Sequence, residues 1–210
     1  MASSTRRPVM VLYSQDDCID CHRVRIILAE KGIVVDIQSV DSDNLPEELL
    51  ELNPYGTVPT LVDRELVLYD AHVIMEYLDE RFPHPPLMAV DPVQRAQTRM
   101  LLSRVRQEWY GYVYDIINDI KIDEARQNLH DSLLAVNSVF AHKTWFTHDE
   151  FTLVDCSIAA LLWRLPVFGV ELPESAAAIN AYSERAFSRE SFKTSLTAVE
   201  YEMRYPEDLD

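Results

Sequence analysis

Two cysteines three positions apart, Cys18 and Cys21, lie between an apolar run that ends at Tyr13 and a helical stretch that stops at Gly32. A thiol at a helix start meets the partial positive charge of the unpaired amides there, which lowers its pKa and makes the reactive thiolate available. The pair can therefore run thiol–disulfide chemistry. Asp16, Asp17 and Asp20 stand in or beside the same first turn, and their charge favours the neutral thiol. With the two effects opposed, the residues lean toward Cys18 and Cys21 as ordinary small residues at a helix start and away from catalysis. His22 completes a C-x-x-C-H string, but haem attachment needs export and a haem pocket, and one cysteine pair supplies only two of the four ligands of a zinc site.

Other chemistries are missing. With four glycines the chain forms no dinucleotide fingerprint, phosphate loop or nucleophile elbow. The six histidines, His22, His72, His84, His130, His142 and His148, include no i,i+4 pair beside a catalytic glutamate. Each is read as a surface residue rather than a ligand, and no metal is expected.

Composition limits the partners. A length of 210 residues with 48% apolar and 26% charged side chains suits a folded chain with a sizeable core and no need of disulfides. The net charge is −16, shared between −9 up to Pro83 and −7 beyond it, and no Lys/Arg run exceeds Arg6-Arg7. Direct DNA binding, which needs a basic face, and binding to anionic membrane are thereby disfavoured. The longest apolar run, Ile158 to Trp163, falls far short of the roughly 20 residues of a membrane span. The first residues lack the apolar stretch of a secretory signal, and three cysteines are too few to staple a secreted chain. The reading is a cytoplasmic protein with free thiols.

The elements that must position the cysteines follow from hydrophobic spacing. Val9–Tyr13 is a strand. Val24, Ile27 and Leu28 mark one face of a helix capped by Gly32, and Val34–Val40 alternates as a strand. Pro46 opens a short helix through Leu52, followed by turn residues Asn53 to Gly56. Thr60–Val62 and Leu66–Tyr69 flank a three-residue hairpin loop, Asp63 to Glu65, and Asp70 caps a helix carrying Ile74, Met75, Tyr77 and Leu78. The order is βαβαββα. Phe82-Pro83-His84-Pro85-Pro86 cannot be helix interior, since proline lacks the amide donor. Beyond it the spacing is helical: Leu102, Val105, Trp109, Val113 and Ile116 on one helix, and Ala125, Leu129, Leu133, Val136 and Phe140 on another. Thr152 to Asp155 fits a capping box, with Phe151 able to staple onto Cys156, and opens a buried helix from Cys156 to Leu165. The domains expected are residues 8–83, a proline-rich linker at 84–92 and an all-helical domain at 93–205.

This order, over essentially the whole chain, resembles the glutathione transferase superfamily: α/β plus all-α, a thioredoxin-like first domain followed by a helical one. Asn53-Pro54-Tyr55-Gly56-Thr57-Val58-Pro59 is similar to that superfamily's N-P-x-G-x-V-P turn. The resemblance implies a cis bond before Pro59 and a backbone contact from Val58 to the cysteinyl part of glutathione. Asp70-Ala71-His72-Val73-Ile74 resembles the motif in which an acidic residue and a serine hold the γ-glutamyl end, but here the serine is Ala71. A lost hydroxyl donor to a charged group is worth about 1.5–3 kcal/mol. The glutathione site, Cys18, Val58, Pro59, Asp70 and Ala71, is thus read as vestigial, and glutathione as at most a weak ligand.

Leu28 to Gly32, Val58 to Leu66, Ile74 to Met88 and Leu161 to Pro166 look most like the stringent starvation protein A branch of the superfamily. That resemblance implies a homodimeric, stress-response regulator associated with RNA polymerase and its sigma subunit, without transferase activity and without direct DNA contact. The Pro83-His84-Pro85 segment supplies a physical means. Prolines leave an imidazole on a backbone with few accessible states, so a partner docking on His84 loses little conformational entropy. The alternative is a plain interdomain linker. The competing function is a glutathione-dependent thioltransferase or dehydroascorbate reductase using Cys18, with Cys21 beside it.

Overall fold

The computed structural model describes residues 10–206, so the expected start of the first strand at Val9 lies outside the described residues. The first domain runs β1 (Val11–Ser14), α1 (Ile19–Glu30), β2 (Asp36–Ser39), α2 (Glu47–Leu52), β3 (Thr60–Asp63), β4 (Leu66–Leu68) and α3 (Ala71–Arg81). The sheet order is β2-β1-β3-β4; β2 lies parallel to β1, and the other pairings are antiparallel. Alternation along β1 sends Leu12 into the main core and Tyr13 to the opposite face, where it meets Val40 and Leu49 of the α2 side. The β3–β4 loop is shorter than expected. Asp63 pairs with Leu66, leaving Arg64 and Glu65 as a two-residue turn with Arg64 at φ 60°, a conformation that matches the twist of the flanking strands.

Helix α1 is buried on more than one face. His22, Arg23 and Arg25 are buried together with Val24, Ile26, Ile27 and Leu28, because α1 packs against α3 and also against the second domain. The expectation of a surface histidine is therefore corrected at His22, which has no exposure.

The second domain begins with α4 (Pro92–Val105), capped by Asp91, which accepts from the Val93 and Gln94 amides. A π-helical turn over Arg106–Tyr110 carries the helix into α5 (Gly111–Ile117), so the expected apolar stripe spans one nearly continuous rod. Then come α6 (Ile122–Ala135), α7 (Leu153–Phe168), α8 (Ala177–Ser188), α9 (Glu190–Ser195) and α10 (Ala198–Glu202). The helix expected to include Val136 and Phe140 stops at Ala135; Phe140 is still buried, from a 3₁₀ turn over Asn137–Ala141. Helix α7 starts at the capping box: Asp155 Oδ2 accepts from the Thr152 amide at 2.8 Å and from its hydroxyl at 2.7 Å. Phe151 packs edge-on against Trp145 at 4.9 Å, within the same core cluster as Cys156. Every residue from Leu153 to Leu165 is buried, and one continuous core joins the two domains. Among the described residues no helix is long and apolar enough to cross a membrane.

Candidate functional site

Cys18 is the N-cap residue of α1, half-buried, and its Sγ accepts from the Cys21 amide at 3.4 Å. Its thiol lies below its ordinary pKa, chiefly because the Cys21 thiol donates to it, and burial and the Asp20 charge only partly offset this. Cys21 is fully buried, and burial, reinforced by its donation to Cys18, pushes its thiol well up. The carboxylates act in the direction the sequence suggested, but they do not prevail. Asp20 is partly compensated: Oδ2 accepts from the Tyr114 hydroxyl at 2.7 Å, and Oδ1 contacts the Arg23 guanidinium. Burial and the Asp20 charge raise the Tyr114 hydroxyl in turn.

The two cysteines thus differ in access. Cys18 lines a cavity of about 380 Å³ between the domains, walled by Ile117, Val167, Phe168 and Met203, with Asp17 and Asp20 at the cysteine side. Asp17 is exposed, and Asp16 accepts from the Ser39 hydroxyl at 2.9 Å.

The turn before β3 forms as its motif implies. Buried Asn53 donates to the Thr57 carbonyl and hydroxyl and to the Thr60 hydroxyl, and the Val58–Pro59 bond is cis. Because Thr60 pairs with Tyr13, this turn stands beside the end of β1 that leads to Cys18. The γ-glutamyl side is different. Asp70 Oδ1 caps α3, accepting from His72 and Val73, while Oδ2 is met by Arg106 at 3.4 Å. Ala71 is buried and has no hydroxyl. Glutathione needs acceptors and donors at that end, and here the carboxylate is already engaged and one donor is missing, so the residues fit it incompletely.

Pro83, His84 and Pro85, with Pro86, are all exposed, far from the cysteines in sequence. The segment is not a free linker. The Lys31 ammonium, its side chain fully buried, donates to the Phe82 carbonyl at 2.7 Å and the Pro85 carbonyl at 2.6 Å, and pairs with Asp79 at 2.7 Å. Asp79 accepts from the Leu87 amide at 2.8 Å, and Leu87 and Met88 enter the core. The exposed prolines are thus held down on both sides. Neither Lys31 nor Asp79 was singled out from sequence; the signal was a lysine at a helix end and an aspartate on an otherwise apolar face.

A second buried network was also missed. Glu200 of α10 has no exposure, and its carboxylate takes Arg25 of α1 at 2.6 Å and Arg164 of α7. Arg164 also donates to His22 Nδ1 at 2.8 Å and to the Asp17 carbonyl, and His22 Nε2 meets the Ser195 hydroxyl at 3.1 Å. Burial first, then the two arginines, hold His22 well below its ordinary pKa, so it is neutral. Its role is to tie the domains together, and haem attachment has no support in this placement. Among the described residues no group of three or more His, Cys, Asp or Glu can hold a metal ion.

With this geometry in hand, comparison with known proteins is decisive. Residues 17–81 match the glutathione S-transferase N-terminal domain family and residues 104–190 the glutathione S-transferase C-terminal domain family. The stringent starvation protein A homolog of Haemophilus influenzae is 50% identical over 198 residues, covering 93% of both chains. That of Coxiella burnetii is 50% identical over 203 residues, covering 95% of this chain and 97% of its own. The chain belongs to the stringent starvation protein A family. Membership in that family comes with the transferase scaffold: a glutathione transferase Omega 3C from Trametes versicolor superposes with a TM-score of 0.79 at 23% identity, over 94% of this chain and 90% of its own. At that identity the likeness is one of fold.

Proposed function

We propose that this protein is a cytoplasmic regulator of transcription that associates with RNA polymerase and its sigma subunit through protein contacts, as a homodimer and without transferase activity. The observation that carries this reading is the exposed Pro83-His84-Pro85-Pro86 segment, pinned by buried Lys31. A surface already held in one conformation loses little entropy when a partner docks on it. His84 is the central contact, with Pro83 and Pro85 orienting it. The engaged carboxylate of Asp70 and the missing hydroxyl at Ala71 support loss of the ancestral tripeptide site. A net charge of −16 favours basic patches of a large partner and disfavours DNA. The test is co-sedimentation of the purified chain with RNA polymerase holoenzyme. Association should be lost on His84→Ala and kept on Cys18→Ala, and unchanged association in the His84 variant would reject the loop as the contact.

A second reading, a glutathione-dependent thioltransferase or dehydroascorbate reductase, draws on one observation: the Cys18 thiol is held low at the edge of a cavity. Glutathione-dependent disulfide reduction that disappears in Cys18→Ala, with no polymerase association in the unaltered chain, would favour it over the regulator.

A further inference from the structure

We propose that Cys18 and Cys21 form a dithiol–disulfide exchange site for uncharged or cationic low-molecular-mass disulfides, entering through the cavity against α5 and α7. The proposal is independent of polymerase association, and it departs from the glutathione reading in its substrate.

Access divides the labour. Cys18 lines the cavity and is half-buried, whereas Cys21 is wholly buried one helical turn further on. An external disulfide reaches only Cys18, and only a sulfur attached to Cys18 reaches Cys21. The two residues already share the first turn of α1 in the reduced state, where Cys18 Sγ accepts from the Cys21 backbone amide at 3.4 Å. The helix start stabilises negative charge on Cys18 and so prepares it as the attacking thiolate.

The exchange proceeds in two steps that balance. The Cys18 thiolate attacks one sulfur of R–S–S–R; a Cys18–S–S–R bond forms, the original S–S bond breaks, and R–S⁻ leaves to be protonated by solvent. The Cys21 sulfur then attacks the Cys18 sulfur, expelling the second R–S⁻, on which the Cys21 proton ends. Two cysteine thiols are oxidised to one disulfide and one R–S–S–R is reduced to two R–SH; a dithiol reductant closes the cycle.

Charge selects the substrate. The walls Ile117, Val167, Phe168 and Met203 accept apolar groups. Two guanidiniums lie near the site: Arg23 is paired with Asp20, and Arg164 shares Glu200 with Arg25, so that buried cluster keeps one positive charge against the two carboxylates of Asp16 and Asp17. Asp16 and Asp17 have no basic partner among the described residues, and the whole chain carries −16. An anionic disulfide is therefore repelled from the approach to Cys18, and a cationic one is drawn in.

The experiment follows thiol release and intact mass with three probes: cystamine, bis(2-hydroxyethyl) disulfide and oxidised glutathione. The reduced full chain should release two thiols per chain without retaining R, in the rate order cystamine, hydroxyethyl disulfide, oxidised glutathione. The outer two should differ by about tenfold or more at low salt, a gap that shrinks as salt is added. Cys18→Ser, which keeps a good helix cap, should release no thiol at this rate. Cys21→Ala, which leaves no stranded hydroxyl in the buried site, should release one thiol and retain R on Cys18. Reaction undiminished in Cys18→Ser, or two thiols released by Cys21→Ala, overturns the dithiol assignment. Oxidised glutathione as the fastest probe overturns the substrate class and favours the glutathione reading.

Discussion

The Lys31 ammonium sits 2.7 Å from Asp79 Oδ1, both side chains buried, directly beneath the exposed prolines. Lys31 ends α1 and Asp79 belongs to α3, so two helices of the first domain jointly anchor the start of the connection to the second. Lys31→Ala would leave the Asp79 carboxylate buried, with the Leu87 amide donating to it, and take the Lys31 donor away from the Phe82 and Pro85 carbonyls. Breaking a buried pair from one side costs about 3–5 kcal/mol. Chemical denaturation should show a loss in that range, and hydrogen exchange should show faster exchange at Leu87. A variant with the parent's midpoint and an equally protected Leu87 amide would remove Lys31 as the anchor.

The domain interface is predicted to depend on Glu200 to a similar degree. Its carboxylate is shared by Arg25 and Arg164 without exposure to water, so Glu200→Gln leaves two buried guanidiniums with a neutral partner. The expected loss is about 3–5 kcal/mol, visible in urea unfolding. The Trp163 indole donates to the Glu200 carbonyl at 2.7 Å, so its fluorescence reports any displacement of α10. A loss below about 1 kcal/mol would place the pair among marginal ion pairs.

Asp155 is the third such point. Beyond the capping box, its Oδ1 accepts from the Phe146 amide at 2.8 Å and the Tyr182 hydroxyl at 2.7 Å. Asp155→Ala removes the cap and strands a buried amide and hydroxyl, each worth about 1–3 kcal/mol. Thermal unfolding should show a loss of about 3 kcal/mol or more. Asp155→Asn, which keeps acceptor capacity, should lose less; equal losses would assign the effect to charge rather than to the stranded donors.

What the sequence made legible was local. Turn chemistry at Asn53–Pro59, the Asp70 cap, the box at Thr152 and the apolar spacing of α1, α4 and α7 each rest on residues within one or two turns of each other. Resemblance then supplied their order in space. The interdomain chemistry was hidden because its partners are distant along the chain: Arg25 and Glu200, Glu30 and Arg189, Tyr114 and Asp20. A charged residue reads as solvated until its buried partner is known, and this is how His22, Arg25 and Lys31 were misplaced or passed over. The same limit applied at Cys18. The opposing carboxylates were visible, but Asp20's engagement by Tyr114 and Arg23, and the donation from the Cys21 thiol, were not.

His22 gives the protein a defined acid response. In the unfolded chain it titrates near its ordinary value of 6.5; folded, burial and the neighbouring arginines hold it well below. Between those two values the unfolded state binds a proton that the folded state does not. Stability is therefore unaffected by this group above about pH 6.5 and falls as pH drops below it, with a limiting slope of about 1.4 kcal/mol per pH unit. The measurement is urea stability from pH 7.5 to 5.0 in the parent and in His22→Gln, which keeps hydrogen-bonding capacity but does not titrate. The variant should begin less stable and show the shallower decline over the upper part of that window, before the carboxylates titrate. Parallel slopes would mean that His22 becomes protonated without unfolding, and that its contacts with Arg164 and Ser195 rearrange to admit the charge.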